Sequence, residues 1–133
     1  MKITITGDFC PMERIKTLIS SLNSEEILSD FKDIFQKSDL TLTNLETSII
    51  NNYCKPAKKI GINIGNYPEI LSFLKQNGFN LVTLANNHFM DYGNESAEYA
   101  LHCLNEIGLE YIGAGRDTTE VQKVKIIEKI ILE

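Results

Sequence analysis

Four short runs of strand character, residues 2–6, 39–44, 80–85 and 109–113, alternate along this chain with segments of helical period, which leaves few folds open. "KITIT" and "DLTLTN" alternate side chains at period two, and "NLVTLA" is a mostly apolar run of strand length. Between them, residues 25–36 place Ile27, Leu28, Phe31, Ile34 and Phe35 on one helical face behind Ser24 as an N-cap, and residues 12–22 align Ile15, Leu18, Ile19 and Leu22. A helix opening at Pro68 stops at Gly78, and another from Asn94 to Ile107 is closed by Gly108. Strands alternating with helices of about three turns predict an α/β domain with a mainly parallel sheet. At 133 residues and 43% hydrophobic side chains, one such domain accounts for the chain.

The charge balance narrows the partners. A net charge of −5 argues against a nucleic-acid surface, which needs clustered Lys and Arg. Lys55, Lys58 and Lys59 are the nearest approach to such a cluster and read as a solvated loop. They fall in the polar stretch 47–66, where "KIGINIG" suggests a short edge strand. "KITIT" follows Met1 without a charged leader or an apolar signal core, and no apolar run approaches bilayer length, so a soluble, cytoplasmic chain is expected. Cys10, Cys54 and Cys103 are scattered and show no C-x-x-C spacing, which fits a reducing compartment, with Cys54 and Cys103 as ordinary thiols.

In a parallel sheet the carboxyl ends of the strands share one edge, where ligands bind, and each polar motif falls at such an end. Gly7-Asp8 offers a carboxylate for a hard cation, although taken alone it reads more readily as a turn with Asp8 capping the next segment. Asn44 and Glu46 lie two apart and face the same side if the strand continues. In "LANNHFMDYG", Asn87 offers an amide oxygen to a metal, His88 a general acid or oxyanion donor, and Asp91 a group to orient His88. The alternative is an Asn-rich turn with a satisfied histidine, although a turn requires neither His nor Asp. Gly113, Gly115 and Arg116 form a small-residue loop suited to an anion or to a plain turn. His102 lies mid-helix without a second ligand, and Tyr92, Tyr99 and Tyr111 read as packing residues.

In this order, "TGDF", "TNLETSI", "LANNHFMDYG" and "GAGRD" resemble the CapA family of capsule-synthesis proteins, which includes poly-γ-glutamate synthesis proteins and belongs to the metallophosphatase-like superfamily. The resemblance spans residues 3–117, and Asn-Asn-His followed by Asp-Tyr-Gly is its most specific element. It implies the N-terminal half of a calcineurin-like metallophosphoesterase sandwich. It further implies Asp8, Glu46 and Asn87 as metal ligands, and His88 with Asp91 as the catalytic pair. The implied cofactor is a divalent metal, manganese or another first-row ion, with two ions where the full site exists. The implied substrate is phosphorylated or polyanionic, handled beside a membrane synthesis machinery.

Two departures stand against that pattern. Cys10 occupies the position where metallophosphatases usually carry a histidine, and the family's later histidine motifs do not occur in this sequence. The alternative is therefore a polymer-binding assembly factor without turnover, or an inactive remnant. The open half-sandwich predicts that residues 121–132 form a strand or hairpin with an exposed face, or one covered by a second copy in a homodimer.

Overall fold

The computed structural model describes residues 1–21 and 24–128. Strand β1 (Ile3–Phe9) is followed by helices α1 (Arg14–Ser20), α2 (Ser24–Leu28) and α3 (Phe31–Gln36), and then by β2 (Leu40–Leu45). The chain continues through β3 (Ser48–Ile49), a long connection, β4 (Gly65–Asn66) and α4 (Glu69–Gln76). It closes with β5 (Leu81–Thr83), α5 (Gly93–Ile107), β6 (Glu110–Ile112) and α6 (Thr118–Val121). Strands β1, β2, β5 and β6 form a parallel sheet in that spatial order, and β3 pairs in parallel with β4. This is an α/β fold with a mainly parallel sheet and flanking helices.

One sheet face supplies the core. Leu45, Val82 and Leu84 are wholly buried together with Leu71 and Leu74 of α4 and Leu104 of α5, each burial contributing about 1.5–3 kcal/mol. Phe9 stacks on Phe73 with ring centroids 6.0 Å apart, tying β1 to α4. On the opposite face the β1 edge is open, with Ile3 51% and Ile5 70% exposed.

Strand β1 does not stop at Gly7. It runs to Phe9 through a bulge, since Ile5 pairs with Leu42 but Asp8 pairs with Asn44. Without the extra residue, Asp8 would stand opposite Leu45 and turn toward the core. The bulge thus sends Asp8 to the face of Asn44 and Phe9 to the hydrophobic side. Hydroxyls secure it, with Thr43 Oγ1 donating to the Gly7 carbonyl at 2.8 Å and Thr6 Oγ1 to the Leu42 carbonyl at 3.3 Å.

Three further expectations need correction. The helix expected over 25–36 is two helices, broken where Ser29 takes a φ of 44°. Phe31 therefore lies 62% exposed, whereas Phe35 is buried against Phe79. Of "KIGINIG" only Gly65 is in a strand, the two-residue β4 that pairs with β3, and residues 59–64 are not strand. Residues 118–121 are helical and 123–128 irregular rather than a strand or hairpin, with Val124 and Ile126 exposed. Leu22 and residues 129–132 lie outside the described residues. Among the described residues no helix is long and apolar enough to cross a membrane.

Candidate functional site

At the carboxyl ends of β1 and β2, two carboxylates converge on one amide. Asn44 Nδ2 donates to Asp8 Oδ1 at 2.9 Å and to Glu46 Oε2 at 3.0 Å. Period two along β2 puts Asn44 and Glu46 on one side, and the β1 bulge brings Asp8 to them. Asn44 Oδ1 in turn accepts from Thr83 Oγ1 and Asn86 Nδ2, each at 3.1 Å. All hydrogen-bonding capacity of this amide is thereby used, and its orientation is fixed.

Asn86 carries the network into the turn after β5. Its Oδ1 accepts from the backbone N–H of His88 at 3.0 Å and of Phe89 at 2.9 Å, which shapes the turn, while Nδ2 also donates to the Leu45 carbonyl at 2.9 Å. From β3, the Ser48 hydroxyl reaches the His88 and Phe89 carbonyls, both at 2.9 Å. The turn is therefore held from two sides.

Within it, His88 Nδ1 lies 2.8 Å from Asp91 Oδ2, which also accepts from the Ile64 amide at 2.7 Å. Lys59 Nζ donates to Asp91 Oδ1 and sits 3.5 Å from His88 Nδ1. The Asp91 side chain is almost wholly buried. Burial pushes its carboxyl up, but the hydrogen bonds from Lys59, His88 and the Ile64 amide outweigh burial and hold it below its ordinary 3.8. An ionised Asp91 accepts from His88 Nδ1 and so fixes the orientation of the imidazole ring.

The remaining predicted positions lie differently. Asn87 is exposed, and its side chain makes no hydrogen bond among the described residues; the inward-facing asparagine is Asn86. Cys10 is half-buried, and burial followed by the Glu46 charge pushes its thiol up, which keeps it protonated. Gly113 has a φ of 86°, and a Cβ there would meet the Ala85 Cβ at 2.9 Å, while one on Gly115 would meet the Glu120 Cβ at 2.5 Å. Close packing thus accounts for both glycines. The Arg116 amide is taken by Glu120 Oε2 at 2.8 Å. Lys59 is not a solvated lysine as the sequence suggested, since Asp91 holds it. Among the described residues no three His, Cys, Asp or Glu side chains gather closely enough to hold a metal ion by themselves.

Local sequence signals reach only part of this site. Asn86, two residues before His88, has the spacing of an Asx turn and was legible in principle. Asn44 as the shared partner of both carboxylates, and Lys59 as the partner of Asp91, follow from tertiary pairing that no local pattern carries.

The family model for bacterial capsule synthesis protein PGA_cap matches residues 2–131. The capsule biosynthesis protein CapA of Bacillus anthracis is 25% identical over 128 residues, covering 93% of this chain and 31% of that relative. The PGA biosynthesis protein CapA of Bacillus subtilis is 24% identical over 132 residues, covering 98% of this chain and 34% of that protein. The uncharacterized protein y4sH of Sinorhizobium fredii is 30% identical over 104 residues, covering 75% of this chain and 23% of its own length. The chain thus spans between 23% and 34% of the length of these relatives.

Proposed function

The chain belongs to the bacterial capsule synthesis protein PGA_cap family, and from that premise we propose that its strand-end cluster is a cation-assisted phosphoester-hydrolysing site. Its substrate would be a phosphorylated or polyanionic species of capsule or poly-γ-glutamate biosynthesis. One observation carries this reading: a continuous hydrogen-bond chain, Asp8 and Glu46 to Asn44 to Asn86 to His88, joins the carboxylates to the histidine turn. Two strand ends and the turn after a third are thereby set as one unit.

The donor chemistry fits one hard divalent cation of the magnesium or manganese type. Such ions are held through one or two carboxylates, with water and substrate oxygens completing the shell. Asp8 and Glu46 would hold it, taking over from the Asn44 amide, and exposed Asn87 is free to add an amide oxygen. The set does not fit a closed protein cage or, among the described residues, two ions. When bound, the cation supplies Lewis-acid polarisation of a phosphoryl oxygen and a water of lowered pKa. His88, with Nδ1 anchored on Asp91, presents Nε2 to accept or return a proton at the reacting oxygens. Lys59 offsets the Asp91 charge and keeps that pair in place.

Hydrolysis of a chromogenic phosphoester by the chain in manganese tests this. His88→Asn should lower turnover about 100-fold or more, and a chelator should abolish it. Unchanged turnover in His88→Asn or Asp8→Asn would refute the assignment. Polymer binding without turnover is the second reading, favoured by Cys10, which stands where metallophosphatases usually carry a histidine. A folded chain that binds poly-γ-glutamate but hydrolyses nothing would establish it instead.

A further inference from the structure

Between Glu46 and Glu69 the sequence contains no acidic residue, yet it carries Lys55, Lys58 and Lys59. In a chain of net charge −5 this stretch, mostly the connection from β3 to β4, is a positive island. Asp91 engages Lys59, while Lys55 and Lys58 stand exposed. The same connection holds large apolar side chains in water: Ile60 is fully exposed, Tyr53 85% and Ile62 61%.

The connection is pinned at its feet. The Ala57 N–H donates to the Asp91 carbonyl at 2.8 Å, and Asn63 Nδ2 donates to the Ala57 and Asp91 carbonyls at 2.9 and 2.7 Å. Asn63 thereby closes residues 57–63 into a short arch with Ile60 at its crown. At the other foot, Asn51 Oδ1 accepts from the Tyr53 and Cys54 amides at 2.9 and 3.2 Å. These bonds hold Ile60 out in water on a fastened arch rather than on a loose terminus.

The two chemistries select the occupant. Lysines call for an anion, and isoleucines call for an apolar medium. A soluble acidic polymer satisfies only the lysines, whereas an anionic bilayer offers headgroup phosphates and an acyl boundary together. We propose that the connection around Ile60 docks this protein onto an anionic lipid surface, with Lys55 and Lys58 at the headgroups and Ile60 at the apolar boundary. Because the arch is bonded to Asp91, docking holds the His88 turn beside the membrane. This goes beyond the hydrolytic reading and stands independently of it.

Cosedimentation with vesicles tests it, using phosphatidylcholine alone and an equal mixture with phosphatidylglycerol. The chain should sediment only with the mixture, and less as salt is raised. Lys58→Ala should weaken partitioning about fivefold. Ile60→Ser should weaken it too, with unchanged melting temperatures because both side chains are exposed. No sedimentation with the anionic vesicles would overturn the proposal, as would undiminished binding by the double variant, which the open Ile3 and Ile5 face would produce. Binding of soluble poly-glutamate that Lys58→Ala weakens, without vesicle binding, would overturn it in favour of a polymer-binding loop.

Discussion

At the residue scale, Asp91 concentrates the most interaction in the least space. Its buried carboxylate receives Lys59, His88 and the Ile64 amide. Asp91→Asn should destabilise the fold by about 2–3 kcal/mol in urea at neutral pH, because it removes the charge and one of the two acceptor oxygens that Lys59, His88 and the Ile64 amide share. The folded carboxyl lies below its unfolded value, so its stabilisation is full above about pH 4 and fades as pH falls through the folded pKa. The gap between wild type and Asp91→Asn should therefore close in acid, and a constant gap would contradict this. Asn44 makes the complementary case, since it donates to two carboxylates at once. Asn44→Asp replaces that donor with a third negative charge; thermal melting should fall in chelator and recover with manganese. No recovery would count against a cation between Asp8 and Glu46. The acidic and histidine members of this site were visible in the sequence because several such groups fall together at the carboxyl ends of successive strands. The amides that organise them were less visible, since an asparagine at a strand end is common.

At the element scale, the bulge in β1 and the break before α3 decide which side chains face where. Periodicity located the sheet strands, α4 and α5; the two helices each bury one apolar face, whereas in β1 the alternating Ile3 and Ile5 stand exposed. It could not reveal that one extra residue before Asp8 turns that carboxylate to the site, since the bulge exists only in pairing with β2. Nor could it reveal the break at Ser29, where Ile27, Leu28, Phe31, Ile34 and Phe35 satisfy a helical stripe that the packing does not use as one. Ser29→Gly tests this directly. With Ser29 at positive φ, glycine should stabilise the protein by about 0.5–1 kcal/mol. A continuous helix would instead lose a comparable amount with glycine in its interior.

At the scale of the whole molecule, one sheet face is packed and the other is open along β1. Ile5→Thr should change folding free energy by no more than about 0.5 kcal/mol, whereas Leu84→Ala on the packed face should cost about 2–5 kcal/mol. A large loss from Ile5→Thr that grows with protein concentration would show a second copy covering that face. The parallel sheet brings three motifs distant in sequence to a single edge, where the proposed cation would sit. Calorimetric titration of the chain with manganese, beside Asp8→Asn and Glu46→Gln, measures this most directly. A single ion bound by the wild type and lost in both variants is the predicted result. Absence of binding by the folded wild type, or binding that survives both substitutions, would contradict it.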